Sequence, residues 1–394
     1  MTGVQTCALP ISELCSFGVF RALFDKKLFK CFFEYANASE ENDKLNKYGA
    51  FVSEIYNGGA NLTNCVRKLL FENENIYVKS ISQKIEINEN VEEATIRELH
   101  TLTTFATLSY NDFLDDMETE IYIPSFDIEE ANLEEEYLQR AKNIKKYGYG
   151  IFASNCMFSV SESGEILPIE SADSTSIDTF IGYKMERQRV IYNTLAFLEG
   201  RPAANILLYG DAGTGKSSTV KAVANHLFDS GIRLVEIRKN QLLLLPKVMG
   251  EISKNPLKFI IFIDDLSFNQ NDDSFSMLKA TLEGSASAKA KNAVIYATSN
   301  RRHIVKETFG DREGGDIHRN DTVQETLSLS ERFGLTILFA KPEKKLYLEI
   351  IHELAERYGI EMDAKELETK AEAFALNRGY RSPRCAEQFI DSLL

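Results

Sequence analysis

Asn205 to Thr219 reads NILLYGDAGTGKSST. An apolar run, Ile206 to Tyr209, enters a turn carrying Gly210, Gly213 and Gly215, and a helical pattern starts at Lys216. Gly210-Asp211-Ala212-Gly213-Thr214-Gly215-Lys216-Ser217 fits G-x-x-x-x-G-K-[ST] between a strand and a helix, the context that gives this pattern its meaning. Glycines let main-chain N–H groups converge on phosphate oxygens, and the helix N-terminus adds the positive end of its dipole. Lys216 would then reach the β- and γ-phosphates. Ser217 would bind Mg²⁺ through its hydroxyl, with Ser218 beside it in the first helical turn.

Outward from this loop, KFIIFIDDLSF is a buried strand that delivers Asp264 and Asp265 to the sheet edge where the phosphates would sit, a Walker B pattern. Asp264 would hold the metal, and Asp265 would orient or polarise the attacking water. Many enzymes of this type carry Glu at the second position. Asp is a methylene shorter, which puts the hydrolytic geometry in question. A third strand ends in YATSN, placing Asn300 or its neighbour Thr298 beside the γ-phosphate, where a neutral group can hydrogen-bond water without cancelling its charge. SLSERFGL puts Arg332 just before the last strand. RSPRCAEQF puts Arg384 in the first turn of the final helix, with Ser382 as N-cap and Pro383 at the first helical position. A cation there opposes the helix dipole at a cost on the order of half a kcal/mol. An anion should offset it, and phosphate is the leading candidate over a surface carboxylate.

The wider chain divides by texture. Strand-like runs NILLYG, RLVEIRK, FIIFIDD, AVIYATSN and LTILFA alternate with helical patterns, which implies a parallel sheet covered by helices on both faces. Before them, CMFSVSESGEILPIE predicts a hairpin turning at Gly164, followed by a linker, over 151–176. After them, 341–394 is helical, with Leu346, Ile350 and Leu354 at four-residue steps and Asp363 and Glu366 as a capping box. Residues 12–150 read as helices. Tyr48, Phe51, Val52 and Ile55 share one face, and so do Ile96, Leu99, Leu102 and Phe105. This N-terminal region carries no chemical motif. Residues 1–11, MTGVQTCALPI, lack the features of a signal peptide and resemble a translated sequencing adapter, so they are expected to be an assembly artefact.

Composition sets the outer limits. With 394 residues, 44% hydrophobic content and 25 Phe, the chain can build two or three cores. The net charge is -14, and Lys84 to Leu138 account for it with sixteen Asp/Glu against two Lys/Arg. An acidic surface of this kind repels a nucleic-acid backbone unless a basic patch is segregated elsewhere. No apolar run reaches a membrane span. Six scattered cysteines without a CxxC pair suggest neither zinc nor a disulfide framework and fit a reducing cytoplasm. The NLT at Asn61 is a chance sequon on this reading.

In order and spacing, the P-loop, IDD, ATSN, SERFG and RSPR segments resemble an AAA+ ATPase. Phe180 to Gln188, FIGYKMERQ, is similar to the family's adenine-side segment, which places Ile181 and Gly182 against the base. More closely, GYKMERQRVIYNTLAFLEGRPAANILLYGDAGTGKSSTVKA, DDLSF, ATSNRRH and LSLSERFGL resemble the AAA+ group catalogued as domain of unknown function 815, over roughly Tyr147 to Leu394. The resemblance implies an α/β AAA+ P-loop NTPase core over 177–340, with a parallel five-stranded sheet in the order 5-1-4-3-2. It also implies a C-terminal α-helical lid and ATP with Mg²⁺ bound between the two. It makes Arg332 a candidate arginine finger acting on a neighbouring subunit, hence a homo-oligomeric ring or stack, and Arg384 the lid's sensor.

One departure bears on the mode of action. Unfoldases of this superfamily carry an aromatic-aliphatic-glycine pore loop before Walker B, where this chain has QLLLLPKVMGEISKNPLK with only Met249-Gly250, so processive threading is disfavoured. The long loop NRRHIVKETFGDREGGDIHRNDTVQE either offers Arg301, Arg302, Arg312 and Arg319 to nucleic acid, a partner or a neighbouring subunit, or is simply a solvated loop. The leading expectation is an ATPase that remodels or loads an unidentified protein or nucleic acid. A slow nucleotide-controlled binding switch and a small-molecule P-loop kinase are the alternatives.

Overall fold

The computed structural model describes residues 10–113, 122–169, 176–267, 273–283, 290–300 and 332–394. Positions 1–9 of the adapter-like segment and the arginine-bearing loop from 301 to 331 lie outside the described residues. The chain divides between Ser154 and Asn155 into two compact units.

The first unit is helical, with its longest elements at Glu41–Asn57 and Glu89–Ala106. Asn61, Asn75, Asn88 and Asn132 each begin a helix by accepting a backbone N–H on the side-chain oxygen, which satisfies donors a helix start leaves open. The sequon asparagine is therefore an N-cap. Tyr48, Phe51, Val52 and Ile55 are buried as the helical period predicts. They join Phe29, Phe32, Phe105 and Phe113 in an aromatic core.

The second predicted face needs correction, because Ile96 is 43% exposed while Leu99, Leu102 and Phe105 are buried. The inner position one turn before Leu102 goes to Glu98. Its carboxylate accepts the backbone N–H groups of Gly18, Val19 and Phe20 at 2.7, 3.1 and 2.8 Å. A buried carboxylate persists only when its oxygens are matched in this way. Glu98→Ala should leave those donors unmatched and lower stability by about 3 kcal/mol. A thermal melt of the full chain unchanged from the parent would contradict this role.

The second unit is built on a sheet of seven strands in the order β2-β1-β4-β5-β6-β3-β7. They are β1 Met157–Val160, β2 Ile166–Pro168, β3 Ile206–Gly210, β4 Ile232–Glu236, β5 Lys258–Ile263, β6 Ala293–Ser299 and β7 Leu335–Phe339. Counting β3 to β7 as the five core strands gives the expected order 5-1-4-3-2, all parallel. The expected count of five is too low. The hairpin at Gly164 does form, but β1 also pairs in parallel with β4 and extends the sheet. A buried amide completes this join, since Gln241 donates from Nε2 to the Val160 carbonyl at 2.8 Å.

The strands are nearly all apolar because helices cover the sheet. Lys184–Leu198 and Lys216–His226 supply Val190, Phe197, Val220 and Val223 to the core around Ile206, Leu208, Ile260 and Phe262. The segment compared with a pore loop is a 3₁₀ turn, Lys239–Leu244, followed by a helix, Leu245–Ile252, in which Met249 is buried.

Helices Lys344–Arg357, Ala364–Arg378 and Pro383–Asp391 form the lid, packed around Tyr347, Ile351, Leu367 and Phe389. Ser382 caps the last of them, accepting from Cys385 N–H at 3.1 Å, with Pro383 following as expected. Only half of the predicted capping box forms. Asp363 accepts from Lys365 and Glu366 N–H, while the Glu366 carboxylate pairs forward with Lys370 at 2.7 Å.

Candidate nucleotide-binding site

The site starts at the C-terminal end of β3. Gly210 ends that strand with φ at +137°, and a Cβ there would stand 2.1 Å from the Phe339 carbonyl oxygen of β7, so only glycine fits. Thr214 ties the loop to itself by donating to the Asp211 carbonyl at 2.9 Å. Gly215, at φ +84°, turns the chain into helix Lys216–His226. Helix starts leave N–H groups without intrahelical partners, so the turn from Gly213 to Ser218 faces its opening with donors.

Lys216 is buried and folds back over this loop. Its ammonium donates to the carbonyls of Gly210 at 3.0 Å and Asp211 at 2.7 Å, and to Asn300 Oδ1 at 3.2 Å. Burial lowers its pKa from the ordinary lysine value, against the opposing pull of Asp211, Asp264 and Asp265. The other side of the network is made of hydroxyls and carboxylates. Ser217 Oγ and Thr298 Oγ each donate to Asp264 Oδ1 at 2.5 Å. Asn300 Nδ2 donates to Asp265 Oδ1 at 2.8 Å. Three strand ends, β3, β5 and β6, thus bring Lys216, Ser217, Asp264, Asp265, Thr298 and Asn300 into one connected set.

These residues suit the groups that the sequence implies. Among the described residues no three His, Cys, Asp or Glu side chains cluster to hold a metal alone. A single hydroxyl and carboxylate are hard oxygen donors of the kind Mg²⁺ takes when phosphates supply the remaining ligands. Beside the loop, a cavity of about 630 Å³ runs from Gly213, Thr214, Gly215 and Ser218 to an apolar wall of Ile181, Ile350 and Leu354. That volume is within the range of small-ligand sites, roughly 300–1,000 Å³. Gly182 does not line this cavity. It sits at φ +72°, and its carbonyl accepts from the buried guanidinium of Arg187. Burial pushes the Arg187 pKa down, and the side chain stacks 5.4 Å from the Phe180 ring centroid. Arg187 and Arg357 both line the cavity; Arg187 lies inside the Phe180 to Gln188 segment likened to the adenine side without having been singled out there, and Arg357 belongs to no motif in the sequence.

The two remaining arginines take different places. Arg384 stands over the phosphate loop, where its backbone N–H donates to the Gly213 carbonyl at 3.3 Å. A Cβ on Gly213 would come within 3.2 Å of Arg384 Cβ and Ser382 Oγ. Asp211 Oδ2 accepts Lys341 N–H at 3.0 Å, so the loop also holds the chain where it leaves β7 for the lid. Arg332 is elsewhere. Leu335 pairs with Ile206 and Phe339 with Gly210, so a residue before β7 lies beyond the far end of a strand about 13 Å long, away from the loop. There Arg332 holds Glu283 through Nε at 2.6 Å and Nη2 at 2.5 Å.

Comparison with known proteins finds one family and distant relatives. A family described as "Protein of unknown function (DUF815)" matches residues 153–394. The chain is 26% identical over 238 residues to "Chaperone protein ClpB 2" of Parasynechococcus marenigrum strain WH8102, covering 55% of this chain and 24% of that protein. It is 26% identical over 189 residues to "Chaperone protein ClpB" of Rickettsia bellii strain RML369-C, covering 41% and 21%. The chain therefore spans about a quarter of the length of these curated relatives. Among solved structures, the Thermotoga maritima RuvB Holliday junction branch migration motor overlays with a TM-score of 0.38 at 17% identity, covering 55% of this chain and 63% of that one. With its P-loop, core strand order and helical lid in place, the chain belongs to the family described as "Protein of unknown function (DUF815)" and has an AAA+ ATPase core.

Proposed function

We propose that this protein hydrolyses ATP to ADP and phosphate and, as a ring or stack of identical subunits in the cytoplasm, uses the cycle to remodel or load a protein or nucleic-acid partner. One observation carries the hydrolytic reading. Both Walker B acids and Asn300 are already joined to Lys216 and Ser217 by hydrogen bonds. In this reading the main-chain N–H groups of 210–218 hold the phosphates, Lys216 contacts the β- and γ-oxygens, and Ile181 lies on the adenine side. Ser217 and Asp264 would hold Mg²⁺, which supplies charge neutralisation on the phosphate oxygens. Asp265 and Asn300 orient the water that attacks the γ-phosphorus. The bond to the β–γ bridging oxygen breaks with its electron pair leaving on ADP, and a water proton moves toward the Asp265 carboxylate.

Arg384 answers nucleotide through the lid. Arg332 cannot serve the loop of its own chain from the far end of the sheet, and its position supports action on a neighbour. The buried Met249, in place of an exposed pore-loop aromatic, supports remodelling without processive threading. Among the described residues no helix is long and apolar enough to cross a membrane.

Mixing two inactive variants tests the shared site. Arg332→Ala and Asp265→Asn should each be nearly inert. A one-to-one mixture should recover about a quarter of parental activity, because in random head-to-tail assembly that fraction of interfaces pairs an intact Asp265 with an intact Arg332. No recovery in a mixture shown to co-assemble would count against a site completed by a neighbour.

A further inference from the structure

Two consecutive acids raise a geometric problem, because successive side chains in a strand point to opposite faces. Asp264 and Asp265 nevertheless both reach the phosphate loop, Asp264 through Ser217 and Asp265 through Asn300 and Lys216. The backbone supplies the solution. The last regular pair between β5 and β6 is Ile263 with Ala297, and Asp265 then adopts a left-handed conformation at φ +50°. That turn breaks the alternation and brings the second carboxylate round to the side of the first.

Such a conformation costs a non-glycine residue on the order of 1–3 kcal/mol and persists only where surrounding structure holds it. Here the end of β6 does so. Asp265 N–H donates to Thr298 Oγ1 at 2.9 Å, Leu266 N–H to the Thr298 carbonyl at 2.7 Å, and Ser299 Oγ to the Leu266 carbonyl at 2.9 Å. Thr298 is buried, and its hydroxyl is used twice: it accepts from Asp265 N–H and donates to the Asp264 carboxylate.

We infer that Thr298 is a positioning residue for hydrolysis, whose one hydroxyl fixes the metal-side carboxylate of Asp264 and the left-handed backbone that presents Asp265. This rests on the hydrolytic reading proposed above. It also accounts for the shorter acid. Asp enters the left-handed region several-fold more readily than most side chains, whereas the extra methylene of Glu brings no such tolerance. The residue at 265 matches its backbone, and the turn places the carboxylate.

The test uses the full chain with ATP and Mg²⁺, measuring phosphate release together with ATP affinity by calorimetry. Thr298→Val should lower kcat by about 10- to 100-fold, as loss of a ligand-orienting partner commonly does, while ATP affinity stays within about twofold. Thr298→Ser, which keeps the hydroxyl, should restore most of the rate. If the valine variant fails to hold nucleotide, Thr298→Ala carries the same comparison without added bulk. Asp265→Glu should turn over more slowly than the parent, and a faster rate would show that reach, not backbone, limits the site. Parental turnover by the variant lacking the hydroxyl overturns the inference and leaves hydrolysis standing. No phosphate release by the parent chain overturns the hydrolytic reading and this inference together.

Discussion

Lys216→Ala is expected to weaken ATP binding by on the order of 100-fold or more, the effect of removing one partner from a buried charge-assisted contact. The size follows from where the ammonium sits. It is buried, and its donors already point at the loop carbonyls of Gly210 and Asp211, within the concavity that would receive phosphate oxygens. Triphosphate oxygens would exchange with neutral carbonyls as acceptors, and charged acceptors bind such a donor more strongly. Because the lysine also steadies the loop, a melting curve should accompany the titration, so that lost affinity is separated from lost fold. Unchanged affinity in a folded variant would remove the phosphate assignment.

Asp265→Asn should leave ATP affinity within about twofold and slow hydrolysis by about 10²- to 10⁴-fold, the range associated with a positioned general base. The substitution is unusually clean here. Asparagine tolerates the left-handed backbone at φ +50° as aspartate does, and its carbonyl oxygen can still accept from Asn300 Nδ2. What it lacks is the negative charge that polarises water. Single-turnover phosphate release checks this, and equal rates in parent and variant would show that another group positions the nucleophile. The same variant, held on ATP, is the form with which to capture the remodelled partner, followed by mass spectrometry and nucleic-acid staining.

The parts of this fold that were legible in the sequence are those with local causes. Four parallel strands, β3 to β6, declare themselves as apolar runs because both of their faces are covered, while β7 at the edge alternates, with Thr336 and Leu338 exposed. The phosphate loop declares itself through glycines at positions such as Gly210, where the β7 backbone leaves no room for a side chain. Ser382 and Pro383 marked the last lid helix through capping chemistry alone.

What escaped depends on partners distant in the chain. The hairpin was visible at Gly164, but its addition to the sheet rests on β1 meeting β4 and on Gln241 reaching Val160, about eighty residues away. Glu98 displaced Ile96 from an inner face because three amides near Gly18 required a carboxylate, a demand that no periodicity records. In the site, the motifs named Asp264, Asp265 and Asn300, while the left-handed turn that lets the two acids cooperate is a property of the folded backbone. Arg357 lines the cavity from an ordinary helical position and carries no local mark, and Arg187, though inside the segment likened to the adenine side, is set there by its fold onto the Gly182 carbonyl.

The most direct measurement is the crystal structure of the full chain soaked with a non-hydrolysable ATP analogue and Mg²⁺ at saturating concentration. If the cradle holds the triphosphate, density will place its β- and γ-phosphates on the amides from Gly213 to Ser217 with the Lys216 ammonium turned toward them. An ordered nucleotide bound elsewhere, or an empty cradle under those conditions, would contradict it.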